Sequence, residues 1–140
     1  MIRNKPIPVE SFERIEKLPE LFKEFGRIEF AYLFGSAARG FPRPLSDIDI
    51  AVFFEEGSDF LDLKLDLLGK VNDCLGTDEV DLVVLNTAPI SLVGRILMKK
   101  KNLFCRNNFL RHDFESLSLR KFSDFHILEE KILTRRFGIG

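Results

Sequence analysis

A pair of aspartates two residues apart opens one of the apolar runs of this chain. Asp47 and Asp49 stand at its start, and Gly35-Ser36 ends the apolar run before it. Because side chains alternate along a strand, both carboxylates are expected on one face, with the core on the other. Two like charges on one face favour a cation between them, and oxygen-only ligands suit Mg²⁺. The spacing therefore predicts a magnesium site.

The glycine–serine pair predicts a phosphate-binding turn beside this metal site. Where a strand passes into a short helix, such a pair offers backbone N–H groups, a hydroxyl and the positive end of a helix dipole. A Walker A loop does not account for it, because Phe41 stands where the lysine would be, and no G-x-G-x-x-G occurs. Arg39 is a further candidate for a phosphate contact, with a surface ion pair as the equal alternative.

A third carboxylate, Asp81, lies near the start of the β-branched apolar run 80–85. Such a run is typical of a buried strand. If that strand lies beside the first acidic strand, Asp81 joins Asp47 and Asp49. The alternative is that Asp81 lies at an exposed strand end.

These residues together resemble the signature of the DNA polymerase β-like nucleotidyltransferase superfamily. The signature is Gly35-Ser36, ten intervening residues, Asp47-x-Asp49 and the later Asp81. In so short a chain, the string through Gly40 resembles the minimal nucleotidyltransferases, among them the MntA antitoxins that accompany HepT, a HEPN-domain ribonuclease toxin. The motif match covers about residues 28–90, and beyond residue 90 the resemblance rests on length and layout.

The resemblance implies a nucleotidyltransferase fold, with a small mixed β-sheet flanked by helices and a helical C-terminus. It implies that Asp47, Asp49 and Asp81 hold two Mg²⁺ ions, with Asp81 also activating the incoming hydroxyl. Gly35 and Ser36 would cradle the triphosphate of ATP. The implied reaction is AMP transfer to a tyrosine hydroxyl of the HepT toxin, which inactivates its RNase and makes this chain an enzymatic antitoxin.

Two alternatives remain open. The first is a nucleotidyltransferase that acts on a small molecule, although only about fifty residues follow the Asp81 strand to build an acceptor domain. The second is a non-catalytic antitoxin that neutralises its partner by binding. Three intact carboxylates speak against that second alternative, because a decayed site has no reason to keep buried charge.

Length and composition indicate one α/β (α+β) domain over residues 1–140, with the motif core at 28–90 and a mainly helical part at 91–140. The chain has 140 residues, of which 45% are hydrophobic, enough for a single core. Two cysteines without metal-type spacing, and no signal peptide or membrane span, indicate a cytoplasmic protein. We expect no membrane partner and no direct nucleic-acid binding.

Charge is distributed unevenly along the chain. Residues 44–90 hold eleven acids and two lysines, whereas residues 95–121 hold eight basic residues and two acids. An acidic half could hold Mg²⁺ while a basic half holds triphosphate or an acidic partner, although a solvated helix face is the alternative for any one residue. Lys99-Lys100-Lys101 is typical of a helix end.

The remaining elements follow from apolar spacing. Helices are expected over residues 10–25, after Ser58 as N-cap, and from Pro89 to about Lys100, with an edge strand at 103–105. One long helix or two should follow Asn108, with an apolar stripe that is more often core than interface. The helix after Ser58 should use Leu61, Leu65, Leu68, Val71 and Leu75 as its apolar positions, and Gly76 should end it.

Overall fold

The computed structural model describes residues 9–38 and 47–137. Residues 1–8, 39–46 and 138–140 lie outside the described residues, and with them Arg39, for which a phosphate contact was expected. In chain order the elements are α1 Val9–Glu13, a 3₁₀ helix Arg14–Lys17, α2 Leu18–Phe25, β1 Ile28–Phe34, α3 Gly35–Ala38, β2 Ile48–Phe54, α4 Phe60–Leu75, β3 Val80–Val84, α5 Ile90–Lys99, β4 Lys101–Cys105 and α6 Asn108–Phe137.

The four strands form one mixed sheet in the order β3-β2-β1-β4. β1 pairs antiparallel with both β2 and β4, whereas β2 and β3 are parallel. The parallel pair follows from the long α4 that connects its strands, because parallel strands need a crossover connection. The mixed sheet flanked by helices, the edge strand near residue 103 and the helical C-terminus are confirmed.

Both faces of the sheet are covered, so β1 and β2 carry apolar residues on either side. On the first face, strand residues pack with α2 and α4, and the fully buried members include Leu18, Phe22, Ile28, Ile48, Ile50, Val52, Phe54, Leu67, Val71 and Leu75. On the second face, strand residues pack under α5 and α6, with Phe30, Tyr32, Ala51, Phe53, Leu85, Val93, Ile96 and Leu97 buried. The expectation of one acidic and one core face is therefore wrong beyond the first residues of β2, because Ala51 and Phe53 continue the face of Asp49.

The helix α4 begins one residue later than the sequence suggested. Asp59, not Ser58, is its N-cap, and the Asp59 carboxylate accepts a hydrogen bond of 3.2 Å from the backbone N–H of Asp62. The Ser58 hydroxyl is instead buried without a hydrogen-bond partner among the described residues. Gly76 ends the helix in the left-handed conformation, as expected.

The buried face of α4 also differs from the predicted one. Leu67, Val71 and Leu75 are fully buried, whereas Leu61 and Leu65 are 68% and 61% exposed. In these first turns Phe60 and Leu63 pack against the core instead, so Leu61 and Leu65 lie on a neighbouring face of the helix. Periodicity identified the helix but not which face of its first turns is buried.

The helix α6 is a single helix of 30 residues whose two halves differ. Its first half packs on α5, where the Phe122 ring lies directly against Gly94. In its second half the apolar stripe is exposed, with Phe125, Leu128 and Ile132 at 38%, 57% and 47%. In the first half Phe114 and Phe122 are half-buried, but Phe109 and Leu117 are 84% and 44% exposed. The expectation that the stripe is core therefore holds for the part around Phe114 and Phe122 and not for the rest of the helix. None of the described helices combines the length and apolar character that a membrane span requires.

Candidate active site

The end of β1 and the start of β2 meet at one edge of the second face. Phe34, the last residue of β1, is the register partner of Asp49. Immediately after Phe34 the chain turns into α3, which begins at Gly35. The antiparallel pairing of two neighbouring strands thus places Gly35 and Ser36 beside the carboxylate that the sequence singled out.

The parallel pairing of β2 and β3 adds the next carboxylate. Asp49 and Asp81 are register partners, so their side chains project from the same face of adjacent strands. Asp47, immediately before β2, and Asp49 are half-buried, whereas Asp81 is exposed. The assumption that all three carboxylates are buried is therefore wrong for Asp81. A groove of about 490 Å³ between α4 and α5 reaches Asp81 from solvent.

Gly35 is required at its position by both backbone and space. Its φ of +71° lies in the left-handed region, and a Cβ there would overlap the carboxylate of Asp49. The backbone of the turn and the carboxylate of β2 are therefore in direct contact. A ligand held by the N–H groups of α3 would lie next to Asp49.

The donor set suits a hard divalent cation, because it consists of carboxylate oxygens alone. Asp49 and Asp81 lie side by side because they are register partners on neighbouring strands, and Asp47 precedes Asp49 by two residues. Within residues 9–38 and 47–137, however, no group of three or more acidic, His or Cys side chains converges closely enough to hold a metal ion. The carboxylates therefore fit Mg²⁺ by the chemistry of their oxygens, while their side chains do not converge on one point in this structure.

A second group of ionisable side chains lies on the same face of the sheet, and the sequence did not reveal it. The Tyr32 hydroxyl donates a 2.6 Å hydrogen bond to Glu115, which also pairs with Lys100 at 3.0 Å and Arg111 at 3.4 Å. The Lys100 ammonium lies over the Tyr32 ring, 4.7 Å from its centroid. We call these four residues the Glu115 cluster; they join α6 to β1 and to the end of α5.

Burial and the Glu115 hydrogen bond raise the pKa of Tyr32 far above its ordinary value. For Glu115, burial opposes ionisation, but the hydrogen bonds from Tyr32 and Lys100 outweigh it and lower the pKa. The cluster therefore contains a neutral phenol, a carboxylate and two cations at neutral pH. In the sequence the cluster is marked only by an acidic residue, Glu115, in the half of α6 that packs on α5. That residue alone does not indicate that Tyr32, Lys100 and Arg111 contact it.

The part of the chain that carries the site matches a known protein family. The profile described as "Polymerase beta, Nucleotidyltransferase" matches residues 16–109. The chain belongs to this family. The matched segment contains the glycine–serine turn and all three aspartates, so the residues that carried the resemblance lie inside the family domain.

Solved structures of toxin–antitoxin complexes extend the similarity over most of the chain. A toxin–antitoxin structure with AMP-PNP is 27% identical, covers 89% of this chain and 96% of its own, and has a TM-score of 0.69. A mutant MntA–HepT toxin–antitoxin structure is 26% identical, with coverages of 85% and 94% and a TM-score of 0.70. A structure of tri-AMPylated Shewanella oneidensis HEPN toxin in complex with MNT antitoxin is 23% identical, with coverages of 89% and 97% and a TM-score of 0.67.

No curated protein sequence matches the chain. The predicted membership in the nucleotidyltransferase superfamily is confirmed by the family match, and the predicted similarity to MntA-type minimal nucleotidyltransferases is confirmed by these structures. The structural similarity includes the part beyond residue 90, for which the sequence offered only length and layout.

Proposed function

We propose that this chain is an antitoxin that acts as a protein adenylyltransferase. It would transfer AMP from ATP to a tyrosine hydroxyl of a HEPN-domain RNase toxin of the HepT kind and so inactivate that toxin. The observation that carries the proposal is the placement of Asp49 and Asp81 side by side next to Gly35 at the start of α3. The similar antitoxins bound to HEPN toxins, one of them tri-AMPylated, support this partner and this reaction.

The proposed reaction is an in-line displacement at the α-phosphorus of ATP. The acceptor oxygen forms a bond to that phosphorus, and the bond to the oxygen bridging to the β-phosphate breaks. Pyrophosphate leaves with the electron pair of the broken bond, and the hydroxyl proton passes to a carboxylate. Asp81 is the carboxylate suited to this task, because it is exposed and lines the groove through which a partner chain can approach.

The other residues of the site would bind and position the donor. Asp47, Asp49 and Asp81 would hold Mg²⁺, which when bound stabilises charge on the attacking and leaving oxygens. The backbone N–H groups at Gly35 and Ser36 would cradle phosphate oxygens. Arg39 remains the proposed additional phosphate contact from outside the described residues.

The test is intact mass spectrometry of the HEPN toxin encoded beside this chain, after incubation with the chain, ATP and Mg²⁺. We expect the toxin to gain one or more AMP units, and the chain with Asp47→Asn and Asp49→Asn to add none. Fragmentation should place AMP on a tyrosine, and a Tyr→Phe toxin should gain no mass. RNase activity should fall in step with the modification.

Two outcomes separate the alternatives. If the toxin gains no mass yet the native chain and the Asn variant both silence it, neutralisation is by contact and the adenylyltransferase proposal fails. If the chain consumes ATP with a small hydroxyl compound while the toxin is unchanged, the acceptor is a small molecule.

A further inference from the structure

A small cleft lies beside Gly35 between the turn into α3 and the helix α5. Its volume is about 170 Å³, and it is lined by Phe34, Gly35, Leu92, Arg95, Ile96 and Lys99. One wall of the cleft is therefore the turn that contacts Asp49, and the other is α5. Two cationic side chains of α5 contribute to that second wall.

These two cations lie on one face of α5. Arg95 and Lys99 are four residues apart, so they are neighbours along the helix surface, and both are exposed. Neither has an ion-pair partner among the described residues, whereas the next residue, Lys100, is neutralised by Glu115 at 3.0 Å. The three consecutive lysines expected to form a plain helix end thus have different surroundings: Lys99 lines the cleft, Lys100 joins the Glu115 cluster and Lys101 begins β4.

The triphosphate of a donor attacked at its α-phosphorus extends away from the attacking hydroxyl, because the displacement is in line. The α-phosphate has to lie near Asp49 and Asp81, where the proposed reaction occurs. The further phosphates add negative charge, which is favoured beside cations and disfavoured beside carboxylates that no metal ion screens. The cleft begins at Gly35 and ends at two cations, so it is the direction in which negative charge is favoured.

We propose that Arg95 and Lys99 bind the β- and γ-phosphates of the nucleotide donor and hold the pyrophosphate as it leaves. This inference rests on the proposed function. Arg95 can donate two parallel N–H hydrogen bonds to phosphate oxygens, while Lys99 supplies a point charge. Both residues face charge that increases on the leaving group when the α–β bridging bond breaks, so they stabilise the transition state as well as the bound donor.

The test is calorimetric titration of the full chain with ATP and, separately, with AMP, both in the presence of Mg²⁺. The variant carries Arg95→Gln and Lys99→Gln. Its matched control carries Lys131→Gln and Arg135→Gln, which remove two exposed cations at the same spacing from the second half of α6. We expect the α5 variant to lose at least about tenfold in ATP affinity, because charge-assisted hydrogen bonds are lost. AMP affinity should stay within about twofold, and the control should bind both nucleotides normally.

The comparison of ATP with AMP separates the outcomes. Equal loss for the two nucleotides, or unchanged ATP affinity, would overturn the role of Arg95 and Lys99 in holding the outer phosphates. A Lys99→Arg variant should retain ATP affinity, because it keeps the charge. If the native chain itself binds no ATP, the proposed function fails and not merely this inference.

Discussion

Two groups of charged side chains lie on the same face of one sheet, and they are built in opposite ways. In the Glu115 cluster, a carboxylate lies between two cations and a phenol that donates to it. At the candidate site, Asp49 and Asp81 stand side by side as like charges, and Arg95 and Lys99 stand together on α5. The first group brings a carboxylate, a phenol and two cations into direct contact, whereas the second places two carboxylates on neighbouring strands and two cations on the helix that lines the cleft.

This difference separates a structural from a functional use of charge. Removing one partner of a buried ion pair leaves the other charge uncompensated, so the Glu115 cluster fixes the arrangement in which α6 and the end of α5 meet β1. Two carboxylates side by side repel each other, and a cation bound between them relieves that repulsion. The arrangement at the site is the one expected where a cation and a polyphosphate bind.

The largest effect that would test this contrast is expected for Asp49→Asn. Removing one of two adjacent carboxylates should lower the rate of AMP transfer by about 10³-fold or more, because charge stabilisation at the phosphate is lost. Relief of the repulsion between Asp49 and Asp81 should offset part of any stability that the Asp49 carboxylate contributes, so the melting temperature should fall little. The measurements are initial rates of AMP incorporation and thermal unfolding. A clear fall in melting temperature would mean that Asp49 is a structural residue.

The next largest effect concerns Gly35, and the chain supplies its own control. A Gly35→Ala change places a Cβ against the Asp49 carboxylate, whereas at Gly57 a Cβ meets nothing within 4 Å; both glycines have positive φ, +71° and +83°. Each change should cost about 1–2 kcal/mol of stability through the left-handed backbone. Only Gly35→Ala should also lower AMP transfer, by about 100-fold, which corresponds to about 2.7 kcal/mol of barrier. Equal rates in the two variants would show that contact between the turn and Asp49 does not matter.

The candidate site and the Glu115 cluster also differ in how far the sequence predicts them. The strands and the glycine–serine turn follow local patterns, so β1, β2, β3 and the positions of Asp49 and Asp81 on them were predictable. Tyr32 and Glu115 are 83 residues apart, and no local pattern indicates that they meet. The surroundings of Lys99 and Lys100 were equally hidden, because they depend on how α5 packs beside the turn at Gly35 and beside α6.

Within the Glu115 cluster, Glu115→Gln should cost about 2 kcal/mol of stability, because Lys100 and Arg111 lose their carboxylate in a largely buried place. The matched control is Glu55→Gln, which disrupts an exposed pair with Arg27 at 3.9 Å and should cost less than about 0.5 kcal/mol. Urea unfolding at neutral pH measures both.

The same cluster should weaken in acid. The pKa of Glu115 is lowered in the folded chain, so its contribution is present above the ordinary glutamate pKa and is lost as pH falls through the lowered value. The difference in stability between the native chain and Glu115→Gln should therefore shrink below about pH 4. A difference that stays constant into strong acid would contradict the ionised state of Glu115.

The smallest effect is spectroscopic, and it concerns Tyr32, the single tyrosine of a chain that lacks tryptophan. Burial and the hydrogen bond to Glu115 raise its pKa, so the folded chain should show no tyrosinate absorbance at pH values where a free phenol, with a pKa near 10, is already ionised. A raised pKa means that stability is full below about pH 10 and declines above it, so tyrosinate should form only as the chain unfolds. In Glu115→Gln the carboxylate charge is gone while burial persists, so ionisation should begin at lower pH than in the native chain. A titration midpoint near 10 with circular dichroism still native would mean that the phenol is open to solvent and that the cluster is not closed.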